Sequence, residues 1–440
     1  MKKILALVLL IFISINVFAS CAYLENLSSS EKERDDESGL DFYLLSDGTY
    51  GVKAGNSIYD EKVVIPAEFN GKAVTQILQN AFEDCQNLKE IVIPEGVTII
   101  GDYAFHNCSN LVLLIIPKSL TCIGNYAFRN CRALTELALP EGVTTLGKSA
   151  FSSCTNLSNV DFANGLKNIG AWAFAYCEGL KEMKTGSSVE RIEPHAFYGC
   201  SNLTDVTISD SVVSIGDRAF YNCFALTNLK LGNGLESIDS YAFYSCSDLS
   251  SVNIPGSVTH IGNRAFYDCY AITNFTVDES NLTYKSIDGN LYSKDESIFV
   301  QYAMGKNEIS FIVPETVTCI GNYAFENCNT LMDIAIGKNV VDIGDYAFYN
   351  CNGFTNIVIP YGVMNIGYHA FEDCGYLTGV KFENLNGWSV RAENSEVTDE
   401  DLRQSEISNT YDAAECLRNV YSGYCWQRTV NDSSMEEVDW

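Results

Sequence analysis

Histidine is scarce in this chain, and so are the residue patterns of known catalytic sites. The four histidines, His106, His195, His260 and His369, occupy positions that carry Tyr, Arg or Ser in similar stretches of the sequence. None of them therefore has the setting of a general base or a metal ligand. No metallohydrolase motif, phosphate-binding glycine loop or nucleophile elbow is visible. We predict that the protein is not an enzyme and uses no cofactor or metal.

Positive charge is also in short supply. Lys and Arg number 28 against 56 Asp and Glu, which gives a formal net charge of −28. A nucleic-acid surface needs clustered Lys and Arg, so this composition argues against nucleic-acid partners. The same charge disfavours loose adhesion to an anionic bilayer and favours solubility. Apolar residues still make up 47% of the chain, which is enough to bury a large core.

The first twenty residues have the layout of an export signal. A basic start, MKK, precedes the run ILALVLLIFISINVFAS, which is too short and too cleanly ended for a membrane span. Val17 and Ala19 fit cleavage after Ala19. The stretch from Phe18 to Cys21 instead resembles a relaxed bacterial lipobox, in which Cys21 is lipidated and forms the only link to a membrane. We favour the lipobox, and both interpretations predict export.

The chain repeats itself with a period of 23 residues. An Ala-Phe-x-x-Cys motif starts at residues 81, 104, 127, 150, 173, 196, 219, 242 and 265, and again at 324, 347 and 370. Such self-similarity is typical of leucine-rich solenoids. One unit, LTDVTISDSVVSIGDRAFYNC at 203–223, predicts a half-buried strand, a turn, a second inward-pointing segment and a short helical turn from Asp217. We predict an α/β repeat solenoid whose stacked coils share one core.

Twelve of the seventeen cysteines close this motif. A column with one cysteine per coil cannot bring four ligands to one metal ion, and parallel Cβ vectors fit a disulfide poorly. We interpret these residues as buried thiols that act as small hydrophobes, with occasional coil-to-coil disulfides as the alternative. The column consists of Cys85, Cys108, Cys131, Cys154, Cys177, Cys200, Cys223, Cys246, Cys269, Cys328, Cys351 and Cys374.

The repeat units resemble a known family. Stretches such as LTNLKLG and VNIPGSVTHIGNRAFYDC are similar to BspA-type leucine-rich repeats over roughly 41–382. The hairpin SIDGNLYSKD resembles an island that interrupts such arrays, and the tail around DLRQSEISNTYDAAECLRNVY resembles that of Treponema-type members. The resemblance implies a surface or envelope lipoprotein that adheres to host proteins such as fibronectin or fibrinogen, or that joins bacteria to each other. It implies no catalytic residues.

Departures from the repeat divide the chain into segments. The stretches IDGNLYS and SIFVQYA flank a polar KDE turn and predict a β-hairpin, which serves either as an interaction element or as a spacer. In the tail, a short helix capped by Thr410 is predicted, and Cys416 and Cys425 either pair or stay reduced. The predicted segments are a signal peptide (1–20), a flexible tether (21–40), an N-terminal β cap (41–76), BspA-like repeats (77–382, with the hairpin at about 278–310) and a C-terminal cap or tail (383–440).

Outward-pointing strand residues predict two kinds of surface. Val92, Leu113 and Ile115 form an apolar spot where the repeat expects polar side chains, and such spots often mark protein contacts. The middle coils present a polar surface that suits a glycan or a protein. The alternative for both surfaces is that these side chains reflect sequence variation without function on a solvent-exposed sheet. The polar surface includes Asp205, Thr207, Asn228 and Lys230.

A tyrosine follows Ala-Phe in four successive coils, at Tyr198, Tyr221, Tyr244 and Tyr267. These rings either form a binding surface or pack against one another. We expect adhesin-type binding of extracellular or cell-surface proteins, of a host matrix or of other bacteria. A carbohydrate-binding protein and a purely structural envelope protein are the alternatives. The expected location is the outer membrane or cell surface, with secretion or a periplasmic location also open.

Overall fold

The computed structural model describes residues 27–392, 400–401 and 404–428. The predicted signal peptide and Cys21 lie outside these residues. Helical structure within them is limited to a 3-10 helix at Gly55–Tyr59, helices α1 (Gln404–Ser408) and α2 (Thr410–Glu415), and a π-helical segment at Cys416–Val420. In the described ranges, no helix has both the length and the apolar character that a membrane span requires.

Short strands form most of the regular structure. In chain order they are β1 (Leu27–Arg34), β2 (Asp41–Leu45), β3 (Tyr50–Lys53), β4 (Lys62–Val64), β5 (Glu68–Phe69), β6 (Lys72–Ile77), β7 (Glu90–Val92), β8 (Ile99–Ile100), β9 (Leu113–Ile115), β10 (Cys122–Ile123), β11 (Glu136–Ala138), β12 (Thr145–Leu146), β13 (Asn159–Asp161), β14 (Asn168–Ile169), β15 (Glu182–Lys184), β16 (Arg191–Ile192), β17 (Asp205–Thr207), β18 (Ser214–Ile215), β19 (Asn228–Lys230), β20 (Ser237–Ile238), β21 (Ser251–Ile254), β22 (His260–Ile261), β23 (Asn274–Val277), β24 (Tyr284–Ile287), β25 (Asn290–Ser293), β26 (Ile298–Gln301), β27 (Ser310–Ile312), β28 (Cys319–Ile320), β29 (Asp333–Ala335), β30 (Asp342–Ile343), β31 (Asn356–Ile359), β32 (Asn365–Ile366), β33 (Gly379–Phe382), β34 (Trp388–Ala392), β35 (Glu400–Asp401) and β36 (Tyr424–Arg428).

The chain divides into two compact units. Among the described residues, unit 1 comprises 27–249 and 260–266, and unit 2 comprises 250–259 and those from 267 onward. In unit 1 the two-residue strands continue the sheet begun by the N-terminal strands, in the order β1-β2-β3-β6-β8-β10-β12-β14-β16-β18-β20-β22. The three-residue strands form separate short sheets, β4-β7-β9, β11-β13 and β15-β17-β19. Each coil of about 23 residues thus supplies one strand to each set, which is the leucine-rich repeat solenoid that the period predicts.

The parallel register places identical repeat positions on top of one another. Ile215 pairs with Ile238, exactly one period later. The phenylalanine of each Ala-Phe motif is fully buried and stacks on the next with ring centroids 4.9–5.5 Å apart in unit 1. Because each ring is shared between neighbouring coils, no coil can bury its apolar face alone.

The corner that carries the motif, here called the Cys corner, is not helical. In the coil of Cys223, the N–H of Tyr221 donates to the carbonyl of Arg218 (3.2 Å), three residues back. The intervening N–H of Phe220 instead donates to the carbonyl of Ala242 in the next coil (2.7 Å). Bonds within a coil and bonds between coils alternate in this way, so a continuous helical ladder cannot form. The prediction of a short helical turn from Asp217 is therefore wrong.

Two residues of each Cys corner adopt left-handed backbone conformations. In the coil of Cys223 they are Arg218 (φ 52°) and Asn222 (φ 60°), and the same two positions recur along both units. Asn and Asp tolerate this region well, whereas residues such as Arg and Tyr adopt it at a cost. The bonds to the neighbouring coil hold these residues in place, so the corner depends on stacking.

Unit 2 repeats this plan around a longer segment. Its main sheet has the order β24-β25-β26-β28-β30-β32-β36-β34-β35, and β21-β23, β27-β29 and β31-β33 form parallel pairs. In the region where the sequence predicts a hairpin, β24, β25 and β26 pair antiparallel in succession. Strand β26 then pairs in parallel with β28, so this segment is joined to the repeat sheet.

The interruption leaves the Cys corner of unit 2 continuous. The Asn327 amide donates to Asp268 Oδ1 (3.0 Å) and to the Tyr267 hydroxyl (2.8 Å), although about 60 residues separate them in sequence. One coil later, the Asn350 amide donates to Asn327 Oδ1 (2.7 Å), as in an uninterrupted array. The extra residues therefore enter the solenoid without breaking this side-chain ladder.

The prediction of a flexible tether at 21–40 is wrong for the residues of this range that the structure describes. Residues Leu27–Arg34 form β1, which pairs antiparallel with β2. Lys32 and Arg34 form ion pairs of 2.8 and 2.7 Å with the nearly buried Asp41. The hydrogen bonds from Arg34 and Lys32 lower the pKa of Asp41 and keep it ionised. These charges, which suggested a solvated linker, instead attach the strand to the cap.

The C-terminal segment packs against unit 2. Helix α2 is present, but its cap is Asn409, whose Oδ1 accepts the N–H of Tyr411 (2.9 Å), and not Thr410 as predicted. Strand β36 pairs antiparallel with both β32 and β34 and buries Trp426. Cys416 and Cys425 are thiols, so the two residues do not pair with each other.

Candidate interaction surfaces

Three neighbouring strands of unit 1 expose an apolar face. Val64, Val92 and Ile115 stand side by side on β4, β7 and β9, in direct register. Val112 and Leu113 extend this group, and the exposed fractions of all these residues except the half-buried Val92 are 46–54%. We call these five residues the Val92 face. The sequence identified Val92, Leu113 and Ile115 but missed Val64, because β4 precedes the first complete repeat.

Ion pairs border the Val92 face. Lys62 bonds to Glu90 and Lys89 to Glu61, each at 2.8 Å. These exposed pairs contribute little to stability, but they satisfy the charges at the edge of the apolar group. An apolar centre with a polar rim is the usual anatomy of a protein interface.

Unit 2 carries a second apolar face that sequence reasoning missed. Ile309, Ile312, Met332 and Val358 are exposed, and Ile312 reaches 74%. Ile312 lies in register with Ala335 on β29, and the N–H of Met332 bonds to the carbonyl of Ile309 (2.7 Å). We call these four residues the Ile312 face. Ile312 and Val358 lie at positions where the repeat places an outward side chain, whereas Ile309 and Met332 directly precede β27 and β29.

The polar surface of the middle coils bonds largely to itself. Asp205 lies in register with Asn228, and Thr207 with Lys230, on β17 and β19. The Asn228 amide donates to Asp205 Oδ1 at 2.7 Å. Hydrogen bonds from Thr204 and Asn228 lower the pKa of the Asp205 carboxyl. A ligand at this surface would have to compete with these existing hydrogen bonds.

The tyrosine column is a face-to-face stack. The rings of Tyr198 and Tyr221 lie 4.8 Å apart and those of Tyr221 and Tyr244 lie 4.2 Å apart, each pair parallel within 4°. Both faces of Tyr221 are therefore covered by neighbouring rings. A sugar stacks on an open aromatic face, so for Tyr221 this geometry favours packing over a binding surface.

The cysteine column has a repeated bonding pattern. All twelve residues are buried thiols. In nine coils the thiol lies 2.9–3.4 Å from the carbonyl oxygen of the Ala-Phe phenylalanine one coil earlier, as Cys223 does to Phe197. Burial raises the pKa of Cys154 and Cys200 to about 12. Within the described residues, no group of His, Cys, Asp and Glu is arranged to hold a metal ion.

Three of the four histidines also have local partners. His106 Nδ1 lies 3.1 Å from Glu83, and His369 Nδ1 lies 2.8 Å from Glu372. His195 stacks on Trp172 with ring centroids 4.1 Å apart. Each of these contacts joins residues of the Cys corner, so the packing of this corner explains why the histidines are there.

Comparisons with known proteins agree with this architecture. A protein from Bacteroides ovatus with leucine-rich repeats has a similar solved structure, with a TM-score of 0.52 and 22% identity over 80% of this chain and 92% of that one. Two further structures align at lower TM-scores. A leucine-rich cell surface protein from Faecalibacterium prausnitzii has a TM-score of 0.49, with 23% identity over 81% of this chain and 96% of that one. The Treponema pallidum leucine-rich repeat protein has a TM-score of 0.41, with 26% identity over 44% of this chain and 91% of that one.

The family is shown by its repeat pattern. No curated protein matches the chain. The family model described as the BspA type leucine rich repeat region matches in six copies, over residues 75–204, 173–299 and 296–395. These matches span well over half of the sequence. The chain therefore belongs to the BspA-type leucine-rich repeat family.

Proposed function

We propose that this protein is a non-enzymatic scaffold at a bacterial cell surface, where it binds other proteins through the Val92 face as an adhesin. The observation that carries this proposal is the apolar group on β4, β7 and β9, at positions where the middle coils carry polar side chains. BspA-type repeat proteins are typically surface proteins used for protein binding, which supports the same conclusion.

The physical chemistry of the Val92 face suits a protein partner. Exposed apolar surface gains roughly 25 cal/mol for each Å² removed from water. The parallel register fixes the backbone of β4, β7 and β9 before any partner arrives, so little conformational entropy is lost on binding. The ion-paired rim adds no unpaired charge to be desolvated. Partners of this chemistry include host matrix proteins and surface proteins of other bacteria.

Replacing Ile115 or Leu113 with aspartate should weaken protein binding by about tenfold or more, because a carboxylate in an apolar contact loses its hydration. Binding to immobilised fibronectin and fibrinogen, and co-aggregation of bacteria that display the protein, are the measurements. Val213→Asp is the matched control, since Val213 is an exposed valine elsewhere in unit 1. Wild-type affinity in both Ile115→Asp and Leu113→Asp would contradict the proposal, and circular dichroism checks that each variant is folded.

Display at the surface is the second part of the proposal, and it depends on Cys21. In the Cys21→Ala variant the protein should leave the cell envelope and appear in the medium or periplasm, because a lipidated cysteine is its membrane anchor. Protease treatment of intact cells should digest the wild-type protein. Protection of the wild-type protein until the envelope is opened would contradict surface display and would favour a periplasmic or structural role.

A further inference from the structure

A polar pocket opens on the Cys corner of unit 1. Its volume is about 200 Å³, and its lining consists of Gln86, Asn107, Ser109, Asn130 and Arg132. These residues come from three successive coils, at the position before the motif cysteine or the position after it. The pocket shares no residue with the Val92 face.

The two asparagines of the pocket are held in a fixed orientation. The Asn107 amide donates to Asp84 Oδ1 (2.9 Å), and the Asn130 amide donates to Asn107 Oδ1 (2.7 Å). This ladder ends at Asn130, whose Oδ1 accepts no hydrogen bond from the part of the chain that the structure describes. The oxygen of Asn130 is thus an oriented acceptor at the edge of the pocket.

Arg132 gives the pocket its charge. Its guanidinium makes no ion pair or hydrogen bond with any described residue, and the pocket lining contains no carboxylate. A guanidinium can donate two parallel N–H bonds to a carboxylate, and equally to a phosphate. The pocket therefore suits a ligand that brings an acidic group such as a carboxylate, together with hydroxyl groups for Gln86, Ser109 and Asn130.

An exposed aromatic ring lies further along the same corner. Tyr176 occupies the repeat position of Asn130 two coils later, about 10 Å away at the usual strand spacing. Its ring lies against Gly199. A Cβ atom added to this glycine would lie only 2.8 Å from Tyr176 Cδ1, so a larger residue there would collide with the ring. It meets Tyr198 edge-on at 63° and stays outside the face-to-face stack, with 42% of the residue exposed.

We propose that this corner binds an oligosaccharide that contains an acidic sugar. The carboxylate of that sugar pairs with Arg132, its hydroxyl groups bond to the amides and hydroxyl of the pocket, and a later sugar of the chain packs on Tyr176. A pocket lined only by polar side chains with an aromatic platform nearby suits a ring that is polar at its edge and apolar on its C–H face. The site adds a glycan-binding activity to the protein-binding surface proposed above and does not depend on it.

The test uses the full chain and three acidic probes, namely hyaluronan hexasaccharide, trigalacturonate and sialyllactose, in calorimetric titrations. At least one should bind, and Arg132→Gln should weaken its binding by about tenfold, as expected for the loss of a charge-assisted pair. Chemical reduction of the sugar's carboxyl groups should lower its affinity for the wild-type protein by a similar factor. The same reduction should not lower its affinity for Arg132→Gln any further. Arg191→Gln, which removes an exposed arginine on β16, is the matched control.

A second variant tests the aromatic platform. Tyr176→Ala should weaken acidic and carboxyl-reduced sugars equally, because its contact is with C–H groups. Dissociation constants above about 10 mM for all three sugars would overturn the proposal. Equal affinity of wild type and Arg132→Gln would also overturn it. A third outcome would also overturn it: a pentaglutamate peptide binds in an Arg132-dependent way while no sugar binds. That result would identify an acidic protein segment as the ligand.

Discussion

The Phe220→Ala variant should lose about 3–5 kcal/mol of unfolding free energy, the range measured when large buried aromatics are truncated. Phe220 is fully buried, and its ring lies 5.2 Å from the rings of both Phe197 and Phe243. Its removal leaves a cavity shared by three coils and ends the continuity of the stack. Denaturant unfolding followed by circular dichroism measures the change, and the affected coils should open first because coils contact only their neighbours.

The same coil supplies the control for this prediction. Phe224 follows Cys223 directly and is 45% exposed. Phe224→Ala removes the same side chain four residues away but leaves no cavity, so we expect a loss below about 1 kcal/mol. Equal destabilisation by the two substitutions would mean that the phenylalanine stack is not the source of stability.

The thiols of Cys154 and Cys200 should react with a disulfide reagent such as DTNB about a thousandfold more slowly at pH 8 than a thiol of ordinary pKa. Only the thiolate is nucleophilic, and burial raises the pKa of Cys154 and Cys200 from 9.0 to about 12. Because the pKa is raised, the thiolate fraction stays low through neutral pH and increases only as the pH approaches 12. Restricted access to the buried sulfur lowers the rate further.

Unfolding provides the reference for this reaction. In guanidinium chloride the column thiols should all react at the normal rate. In the native protein, fast reaction should be confined to cysteines outside the column, such as the half-buried Cys319 and Cys425. Rapid modification of many thiols in the native state would contradict the buried column and would favour open or disulfide-exchanging coils.

The sequence predicted the repeat geometry because that geometry is periodic. The spacing of 23 residues is enough to place Val206 and Ile215 inside and to stack Phe220 on Phe243. It could not predict the Cys corner, because the local residues there resemble a helix start. The conformation of Arg218 is decided by hydrogen bonds to the next coil, and a single coil's sequence does not contain that information.

The surfaces were predictable only where the repeat is regular. Outward positions on β7 and β9 could be counted from the motif, which identified Val92, Leu113 and Ile115. Val64 and Ile312 lie on strands outside the counted repeats, so their exposure became visible only in the fold. Likewise, the period placed Tyr221 in a column but could not decide whether its ring faces were open, since that depends on side-chain orientation.

The alternating bonds of the Cys corner have a consequence for how such a gene can change. The bonds between coils recur from one coil to the next, since Phe220 bonds to Ala242 as Phe197 bonds to Ala219, and Asn350 bonds to Asn327. Duplication or loss of a DNA segment that encodes one whole coil restores all of these bonds, whereas deletion of a single codon changes the spacing within one coil and misaligns its bonds to the neighbouring coils. Unequal recombination between near-identical repeats can therefore lengthen or shorten the array in whole coils while each intermediate remains folded. The segment between Asp268 and Asn327 shows that a larger insertion is also tolerated when its ends return to the same ladder.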